Sequence, residues 1–273
     1  MVRVGVILSG SGVFDGSEIH ESVLTILALD RAGAEAVFFA PNKNQSEVIN
    51  HLTGQVAPES RNVLVESARI ARGQIRDIRE ARAADLDAVI LPGGFGVVKN
   101  LSDFCWNGER CWVDGEVYRL LGEMLAAKKP IGAACIAPAI LAKIFSAEKP
   151  RLTIGSDEGT AKSLKQLGAQ HVKSQAVDIV VDERLNIVTT PAYMLARRIS
   201  EVSEGIERMV EAVVRRAKRR QADSATSLIS RNRKRQPADS ATARVVSRAN
   251  ASRATRVSTR KTQSSARRRA VRA

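Results

Sequence analysis

Short apolar segments alternate with longer segments of helical periodicity along the first 214 residues. The apolar segments, in chain order, are VRVGVILSG, AEAVFFAP, LDAVILPGG, PIGAAC and VDIVVDERLNIVTTPA, the last of which reads as a strand, a turn and a strand. Helical segments such as SEIHESVLTILALDRAG and EVYRLLGEMLAAKK lie between them. Continuous apolar strands that alternate with helices are typical of a parallel sheet covered on both faces. We therefore predict an α/β fold with a doubly wound, mostly parallel sheet and helices on both faces.

The positive charge of the chain is concentrated after residue 214. The whole chain has 43 Lys and Arg, 29 Asp and Glu, and a net charge of +14. Residues 215–273 hold 19 of the basic and two of the acidic residues, which leaves 24 and 27 in residues 1–214, a balance of −3. The basic segment has few aliphatic residues with which to form a core. We predict one α/β domain over 1–214 and a disordered, basic, low-complexity tail over 215–273.

Two interpretations of this basic tail stay open. Clustered positive charge on a flexible segment favours non-specific binding of nucleic acid or another polyanion, with an affinity that falls as salt rises. The alternative is a solvated extension that has no partner.

Cysteine usage and the N-terminal segment indicate the compartment. The chain has three Cys residues, with no CxxC pair and no neighbouring His cluster. An odd number argues against the disulfide framework of a secreted protein, and the spacing does not suggest a zinc site. The first apolar run stops within eight residues, which is too short for a signal sequence or a membrane span. We expect a cytoplasmic protein with no membrane partner, metal or cofactor.

Cys135 is the candidate nucleophile. It lies in IGAACIAP at 131–138, between a predicted strand and a predicted helix, with an alanine two positions to either side. Small neighbours permit the sharp turn of a nucleophile elbow, and a helix N-terminus favours the thiolate. The alternative is a Cys that only fills space in this turn. Cys105 and Cys111, in CWNGERCW, lack such a context and are interpreted as structural or incidental.

Gly93 and Gly94 end a predicted buried strand, in LPGGFG at 91–96. Ligands of open α/β folds bind at the carboxyl edge of the sheet, where two backbone N–H groups can stabilise an oxyanion. The alternative is an ordinary glycine turn.

The segment GSGVFDGSEIHE at 10–21 follows the first predicted strand. Its GxGxxxG pattern is one residue longer than the dinucleotide fingerprint, which argues against NAD or FAD. Asp15 or Ser17 is expected to cap the next helix, with Asp15 and Glu18 spaced as a capping box. Glu18 and Glu21 share one helical face. Capping is the favoured role of Glu18, with contact to the cysteine as the alternative, whereas Glu21 is the main candidate proton carrier, a carboxyl group that burial keeps protonated beside a thiolate.

The histidines offer no sequence-adjacent partner for the cysteine. His20, His51 and His171 are all distant from Cys135 in sequence, and Ile136 follows the cysteine directly. A Cys-His pair of consecutive residues is therefore excluded. His20 is expected at the surface or at an interface.

Seven segments together resemble the ElbB-type branch of the PfpI-like proteins, within the class I glutamine-amidotransferase-like superfamily. They are LSGSGVFDGSEIHESVL, HLTGQ, NVLVESARIARGQI, LPGGFGVVKNLS, CIAPA, LTIG and TTPAYMLA, and the resemblance covers about residues 2–214. It implies a flavodoxin-like fold, usually homodimeric. It further implies that Cys135 is the elbow nucleophile, that Gly93 and Gly94 form the oxyanion hole, and that Glu21 contacts the cysteine.

The activity implied by this resemblance is that of a cofactor-independent glyoxalase, a lyase that converts glyoxal or methylglyoxal to the 2-hydroxy acid, with a related deglycase activity as a variant. The Cys135 thiolate would add to the aldehyde to give a hemithioacetal, and Glu21 would move the proton before hydrolysis. Relatives with His after the cysteine are often hydrolase-like, so Ile136 argues against a peptidase. The alternative is a redox or carbonyl-stress sensor, in which an exposed, low-pKa Cys135 is modified rather than turned over.

Overall fold

The computed structural model describes residues 1–235. The strands are β1 (Val2–Ile7), β2 (Ala34–Ala40), β3 (Ile49–Asn50), β4 (Gln55–Val56), β5 (Ile75–Asp77), β6 (Ala88–Leu91), β7 (Ile131–Ala134), β8 (Arg151–Leu152), β9 (Gln170–His171), β10 (Val180–Asp182) and β11 (Ile187–Thr190). The α-helices are α1 (Ile19–Arg31), α2 (Val63–Ile70), α3 (Phe95–Lys99), α4 (Phe104–Asn107), α5 (Gly115–Ala126), α6 (Pro138–Ile144), α7 (Glu158–Gln166) and α8 (Ile199–Arg235). None of these helices is long and apolar enough to cross a membrane.

Seven strands form the central sheet in the order β10-β11-β7-β6-β1-β2-β5. β10 runs antiparallel to β11, and every other neighbouring pair is parallel. Two small sheets, β3-β4 and β8-β9, lie outside it. The predicted doubly wound, mostly parallel α/β fold is confirmed.

Both faces of the central sheet are buried. Along β6, Val89 and Leu91 pack into a core with Leu120 of α5, whereas Ile90 packs into a second core with Met209 of α8. Successive strand residues point to opposite faces, so an uninterrupted apolar strand is what two covered faces require. Each fully buried aliphatic side chain of this kind stabilises the fold by about 1.5–3 kcal/mol. This packing fixes the strand ends from which the functional loops start.

The last helix begins within the predicted domain and extends beyond it. Ala217 is buried, and the Arg216 guanidinium donates to the Glu183 carboxylate at 2.8 Å. Arg and Ala, the two most frequent residues after 214, also have high helix propensity. The compact unit accordingly runs to Gln221, so the domain boundary predicted at residue 214 is too early, and α8 continues as a helix to Arg235. The rest of the predicted tail, 236–273, lies outside the described residues.

The apolar stripe of α1 faces outward. Ile19, Val23 and Leu27 are 45%, 50% and 39% exposed, whereas Ser22 and Thr25 are fully buried. The two hydroxyl groups donate to backbone carbonyls one turn earlier, which satisfies them without another partner. The spacing of apolar residues therefore predicted the helix, but its buried side is polar in the first two turns and becomes apolar only at Ala28 and Leu29.

Candidate active site

Four chain segments meet at the carboxyl edge of the central sheet. Cys135 directly follows β7, and Gly93 follows β6. Glu21 lies in the first turn of α1, which is reached from β1, and Tyr193 follows β11. The four strands β11, β7, β6 and β1 are neighbours in the sheet, so their C-terminal loops converge.

Cys135 occupies a strained turn between β7 and α6. Its φ is 59°, in the left-handed region, which costs a residue with a side chain about 1–3 kcal/mol. The Cys135 N–H donates to the Thr190 carbonyl at 3.0 Å, which holds the turn against β11. This strand, sharp turn and helix have the geometry of a nucleophile elbow.

Gly93 is in close contact with the elbow. A Cβ atom at this position would lie 2.4 Å from the Cβ of Cys135 and 2.5 Å from Oε2 of Glu21. Both distances are far below van der Waals contact, so no larger residue fits without moving one of these groups. The glycine thus permits the nucleophile and the carboxyl group to approach each other.

Glu21 is fully buried, and its carboxyl group accepts two backbone hydrogen bonds. Its Oε2 accepts the Gly93 N–H at 2.9 Å, and its Oε1 accepts the Tyr193 N–H at 3.2 Å. Its side chain also interacts with the Cys135 thiol, and both groups lie against Gly93. Burial, and then the negative charge of Glu18, raise the pKa of Glu21 to about 7, although the hydrogen bonds act in the opposite direction. Glu21 can therefore gain or lose a proton near neutral pH.

The cysteine is a thiol in this site. Burial and the charge of Glu21 raise the pKa of Cys135 well above its ordinary value, although the Gly94 and Ile136 N–H groups lie close to the sulfur. The prediction of a thiolate stabilised by a helix N-terminus is therefore wrong for the resting site. The first residue of α6 is Pro138, which has no N–H to donate. When the pair holds one proton, that proton lies on the sulfur and Glu21 is ionised.

The two glycines do not form the predicted oxyanion hole. The Gly93 N–H is bonded to Glu21, so it is not free to bind a substrate oxygen. The Gly94 N–H, at a φ of 99°, lies toward the sulfur together with the N–H of Ile136. The donors available beside the nucleophile are thus Gly94 and Ile136, and not Gly93 and Gly94.

Glu18 is the N-cap of α1. Its Oε2 accepts the Glu21 N–H at 2.6 Å, which is the capping role that its position suggested. The prediction that Asp15 or Ser17 caps the helix is wrong. Asp15 instead accepts the Ile49 N–H at 2.8 Å, and the Ser17 hydroxyl accepts a backbone N–H within its own loop. Glu18 therefore acts on the site mainly through its charge.

Tyr193 is a site residue that sequence reasoning missed. Its N–H holds Glu21, and its hydroxyl shares a 2.8 Å hydrogen bond with Nδ1 of His20. Burial, followed by the charges of Glu18 and Glu21, raises the pKa of Tyr193. The available signal was its place in TTPAYMLA, directly after a strand at the edge that carries the elbow. His20 is exposed, as predicted, but it belongs to this hydrogen-bonded group.

The other two histidines make separate contacts. The ring of His51 lies 5.0 Å from that of Phe14, centroid to centroid, and accepts the Phe14 N–H. Burial lowers the pKa of His171, on β9. Among residues 1–235, no group of three or more His, Cys, Asp or Glu is placed to hold a metal ion.

A cavity of about 590 Å³ opens in front of Cys135. Its walls are mainly apolar and include Phe95, Phe104, Trp106 and Met194. Cys105 also lines it, which the interpretation of this residue as incidental did not foresee, whereas Cys111 is buried in the core. The nucleophile therefore faces a space large enough for a small-molecule ligand.

Similar proteins exist in animals and bacteria, although the chain matches no protein-family model. The human "glutamine amidotransferase-like class 1 domain-containing protein 3, mitochondrial" is 46% identical over 222 residues, which cover 78% of this chain and 82% of that protein. The "ES1 protein, mitochondrial" of Danio rerio is 33% identical over 230 residues, with 78% and 85% covered. The crystal structure of an isoprenoid biosynthesis protein with an amidotransferase-like domain from Ehrlichia chaffeensis matches with a TM-score of 0.74 at 38% identity, over 79% of this chain and 99% of that chain.

Proposed function

Because the chain belongs to the glutamine amidotransferase-like class 1 family that includes the ES1 proteins, we propose that it is a cysteine-dependent, cofactor-independent glyoxalase of the ElbB type. One observation carries the proposal. A buried carboxyl group with a pKa of about 7 lies beside the elbow thiol of Cys135, with both groups packed against Gly93. Such a pair supplies both a nucleophile and a proton carrier, which are the two groups that the reaction needs.

The first step is addition of the thiol to the aldehyde. The Glu21 carboxylate takes the thiol proton as the sulfur forms a bond to the aldehyde carbon. The carbonyl oxygen gains negative charge, and the N–H groups of Gly94 and Ile136 are placed beside the sulfur to stabilise it. Glu21 then returns the proton to this oxygen, which gives a neutral hemithioacetal.

The second step moves hydrogen within the substrate. Glu21 removes the proton from the hemithioacetal carbon and delivers a proton to the neighbouring carbonyl carbon by way of an enediol. The first carbon is oxidised to a thioester and the second is reduced to an alcohol, so the electrons balance without an external oxidant. Water then cleaves the thioester, which releases the 2-hydroxy acid and restores the thiol. A carboxyl group with a pKa near 7 is suited to both directions of proton transfer.

Glycolate formation from glyoxal tests the proposal. We expect turnover by the wild type and only the uncatalysed background with Cys135→Ala, because the covalent intermediate cannot form. Cys111→Ala is the matched control, since Cys111 is also buried but lies in the core away from the cavity. Thiol titration before and after the reaction should recover the same number of thiols. Glycolate formation by Cys135→Ala at the wild-type rate would refute the proposal.

The sensor is the weaker candidate. It calls for an exposed thiolate of low pKa, whereas Cys135 is only 8% exposed and burial raises its pKa. In its favour, Cys105 lines the same cavity and could be modified with it. Consumption of the thiol without release of glycolate would support the sensor.

A homodimer remains our proposal for the assembly. Its support is the exposed apolar stripe of Ile19, Val23 and Leu27 on α1, since an apolar patch of this kind is typical of an interface. Light scattering over a range of concentrations would give the molar mass in solution.

Binding of nucleic acid by the basic tail and a cytoplasmic location also remain proposals. A chain that ends at Arg235 keeps Ala217 and Arg216 in place, and is therefore a better test of the tail than one cut after Val214. We expect this shorter chain to retain less DNA at low salt, because 10 of the tail's 19 basic residues lie beyond Arg235. The human and zebrafish relatives are named as mitochondrial proteins, so cell fractionation should compare both compartments.

A further inference from the structure

The cavity is much larger than the substrate used to test the reaction. Its volume of about 590 Å³ lies in the range of sites that enclose drug-sized ligands, roughly 300–1,000 Å³. Glyoxal is among the smallest dicarbonyl compounds and would occupy a space closer to that of a few water molecules, at about 30 Å³ each. Most of the wall would then stay in contact with water, and little apolar area would be covered on binding.

Two aromatic side chains at this cavity are left partly in solvent. Phe95 is 45% exposed and Trp106 is 54% exposed, although both line the cavity. The Phe95 backbone is fixed by a hydrogen bond from its N–H to the Val13 carbonyl at 2.8 Å. Covering such surface stabilises a complex by about 25 cal/mol per Å² of apolar area. An apolar ligand body that contacts these rings would gain this contribution, whereas glyoxal has no such body.

The charge around the cavity disfavours an anion. None of the described residues that line it is Lys, Arg or His, and Glu18 supplies a negative charge. Lys99 is close, with its Nζ 5.4 Å from the centre of the Phe95 ring, but it is paired with Glu47 and donates to a backbone carbonyl. Thr160 and Ser163 also line the cavity, and the Ser163 hydroxyl, which donates to the Gly159 carbonyl at 3.3 Å, can still accept a hydrogen bond from a neutral ligand. The negative charge of Glu18 would repel a negatively charged ligand, so carbonyl compounds that carry a carboxylate or phosphate group are disfavoured.

We propose that the preferred substrate of this site is an uncharged α-dicarbonyl compound with a bulky apolar or aromatic body, which Phe95, Trp106 and Met194 contact while its aldehyde carbon faces Cys135. This inference rests on the proposed glyoxalase activity, because it assumes attack by the cysteine on an aldehyde.

Phenylglyoxal and glyoxal provide the first comparison. The wild-type kcat/KM should be higher for phenylglyoxal by at least about 10-fold, which is what one well-placed apolar group contributes to discrimination. An equal or lower kcat/KM for phenylglyoxal would overturn the inference. A phenylglyoxal that carries a para-carboxylate should react more slowly than phenylglyoxal itself, and an equal rate would overturn the requirement for an uncharged body.

The two tryptophans offer a matched pair of variants. Trp106 and Trp112 are 54% and 55% exposed, but only Trp106 lines the cavity. Trp106→Ala should lower the ratio of the two kcat/KM values, phenylglyoxal over glyoxal, by about 10-fold. Trp112→Ala should leave this ratio at the wild-type value. Equal ratios in both variants would place the aromatic body elsewhere and overturn the proposed contact.

Binding without chemistry separates this inference from the proposed function. Acetophenone has the aromatic body but no aldehyde, and its binding to Cys135→Ala can be measured by calorimetry. If the added Trp106→Ala change weakens this binding, the aromatic body is bound in the cavity, whether or not the protein turns over a dicarbonyl compound. If such binding is found but the wild type turns over no dicarbonyl compound, only the glyoxalase proposal fails. Turnover of glyoxal that depends on Cys135, without binding of acetophenone, leaves the function intact and overturns the substrate class.

Discussion

In its first two turns, α1 has a polar inner side and an apolar outer side, the reverse of an ordinary amphipathic helix, and only further along does its inner side bury apolar residues, Ala28 and Leu29. The inner side carries Glu21, Ser22 and Thr25, all fully buried, and the outer side carries Ile19 and Val23, which are exposed. The inner hydroxyl groups are satisfied within the helix, and the inner carboxyl group is satisfied by loops from three other strands. The active site therefore requires a polar residue, Glu21, on the inner side of the helix. The outer side has no such requirement, and its apolar residues Ile19 and Val23 can form an interface.

Removal of the carboxyl group on the inner side should have the largest effect. Glu21→Gln keeps the shape of the side chain but cannot exchange a proton, so kcat should fall by about 10²–10⁴-fold. Asp30→Asn, on the exposed end of the same helix, is the control and should keep wild-type turnover. Steady-state assays with a saturating dicarbonyl substrate give both values. Wild-type kcat in Glu21→Gln would mean that the inner side has no catalytic role.

The pH dependence of turnover should follow the same group. The addition step needs ionised Glu21 to accept the thiol proton, and burial places the pKa of Glu21 at about 7. We therefore expect kcat/KM to rise with pH through about 7 and to fall about 10-fold per pH unit well below it. A profile centred near the ordinary carboxyl pKa of 4.5 would show that burial does not control the proton.

Stability should depend on pH through the same residue. The pKa of Glu21 is raised from 4.5 to about 7 by folding, so its neutral form favours the native state below pH 4.5. This advantage is lost as pH rises to about 7, and a shift of this size corresponds to about 3 kcal/mol. The free energy of unfolding of the wild type, relative to Glu21→Gln, should therefore decrease by about 3 kcal/mol between pH 4 and pH 8. Urea titrations at both pH values measure it, and a constant difference would contradict the prediction.

Substitution on the outer side should have the smallest effect on the fold. Val23→Ser replaces a half-exposed side chain, so the free energy of unfolding of the monomer should change by no more than about 0.5 kcal/mol. If the stripe is a dimer interface, the same change should lower the molar mass seen by light scattering at low concentration. Thr25→Val, on the inner side, serves as the comparison and should not alter assembly. Loss of the dimer in Thr25→Val but not in Val23→Ser would reverse the assignment of the two sides.

The sequence allowed prediction of those features that depend on pattern. Buried strands such as Ala88–Leu91 are continuous apolar runs, and the small residues around Cys135 suit its sharp turn, so the fold and the elbow could be read from composition and order. Contact between Glu21 and the cysteine came from the resemblance. The partners of individual N–H groups could not be predicted, because Gly93 binds Glu21 through a contact between residues far apart in sequence.

Burial was the other source of error. The sequence placed Cys135 near a helix N-terminus but did not reveal how completely the site is enclosed or that Glu21 adds its charge. Enclosure reverses the expected shift of the thiol pKa. The end of the domain was set too early for a similar reason, since the packing of Ala217 depends on its position on α8 and not on the basic residues around it.

The crowding around Gly93 also bears on how this site can evolve. A side chain at that position would overlap both reacting groups, so almost no substitution of Gly93 is compatible with the site. Phe95 and Trp106 are half in solvent, and their side chains can change without disturbing the buried pair. A library randomised at these two positions should therefore retain many folded, reactive members that differ in substrate range, whereas one randomised at Gly93 should yield almost none. New specificities in this lineage would then arise through the cavity rim while the chemistry stays constant.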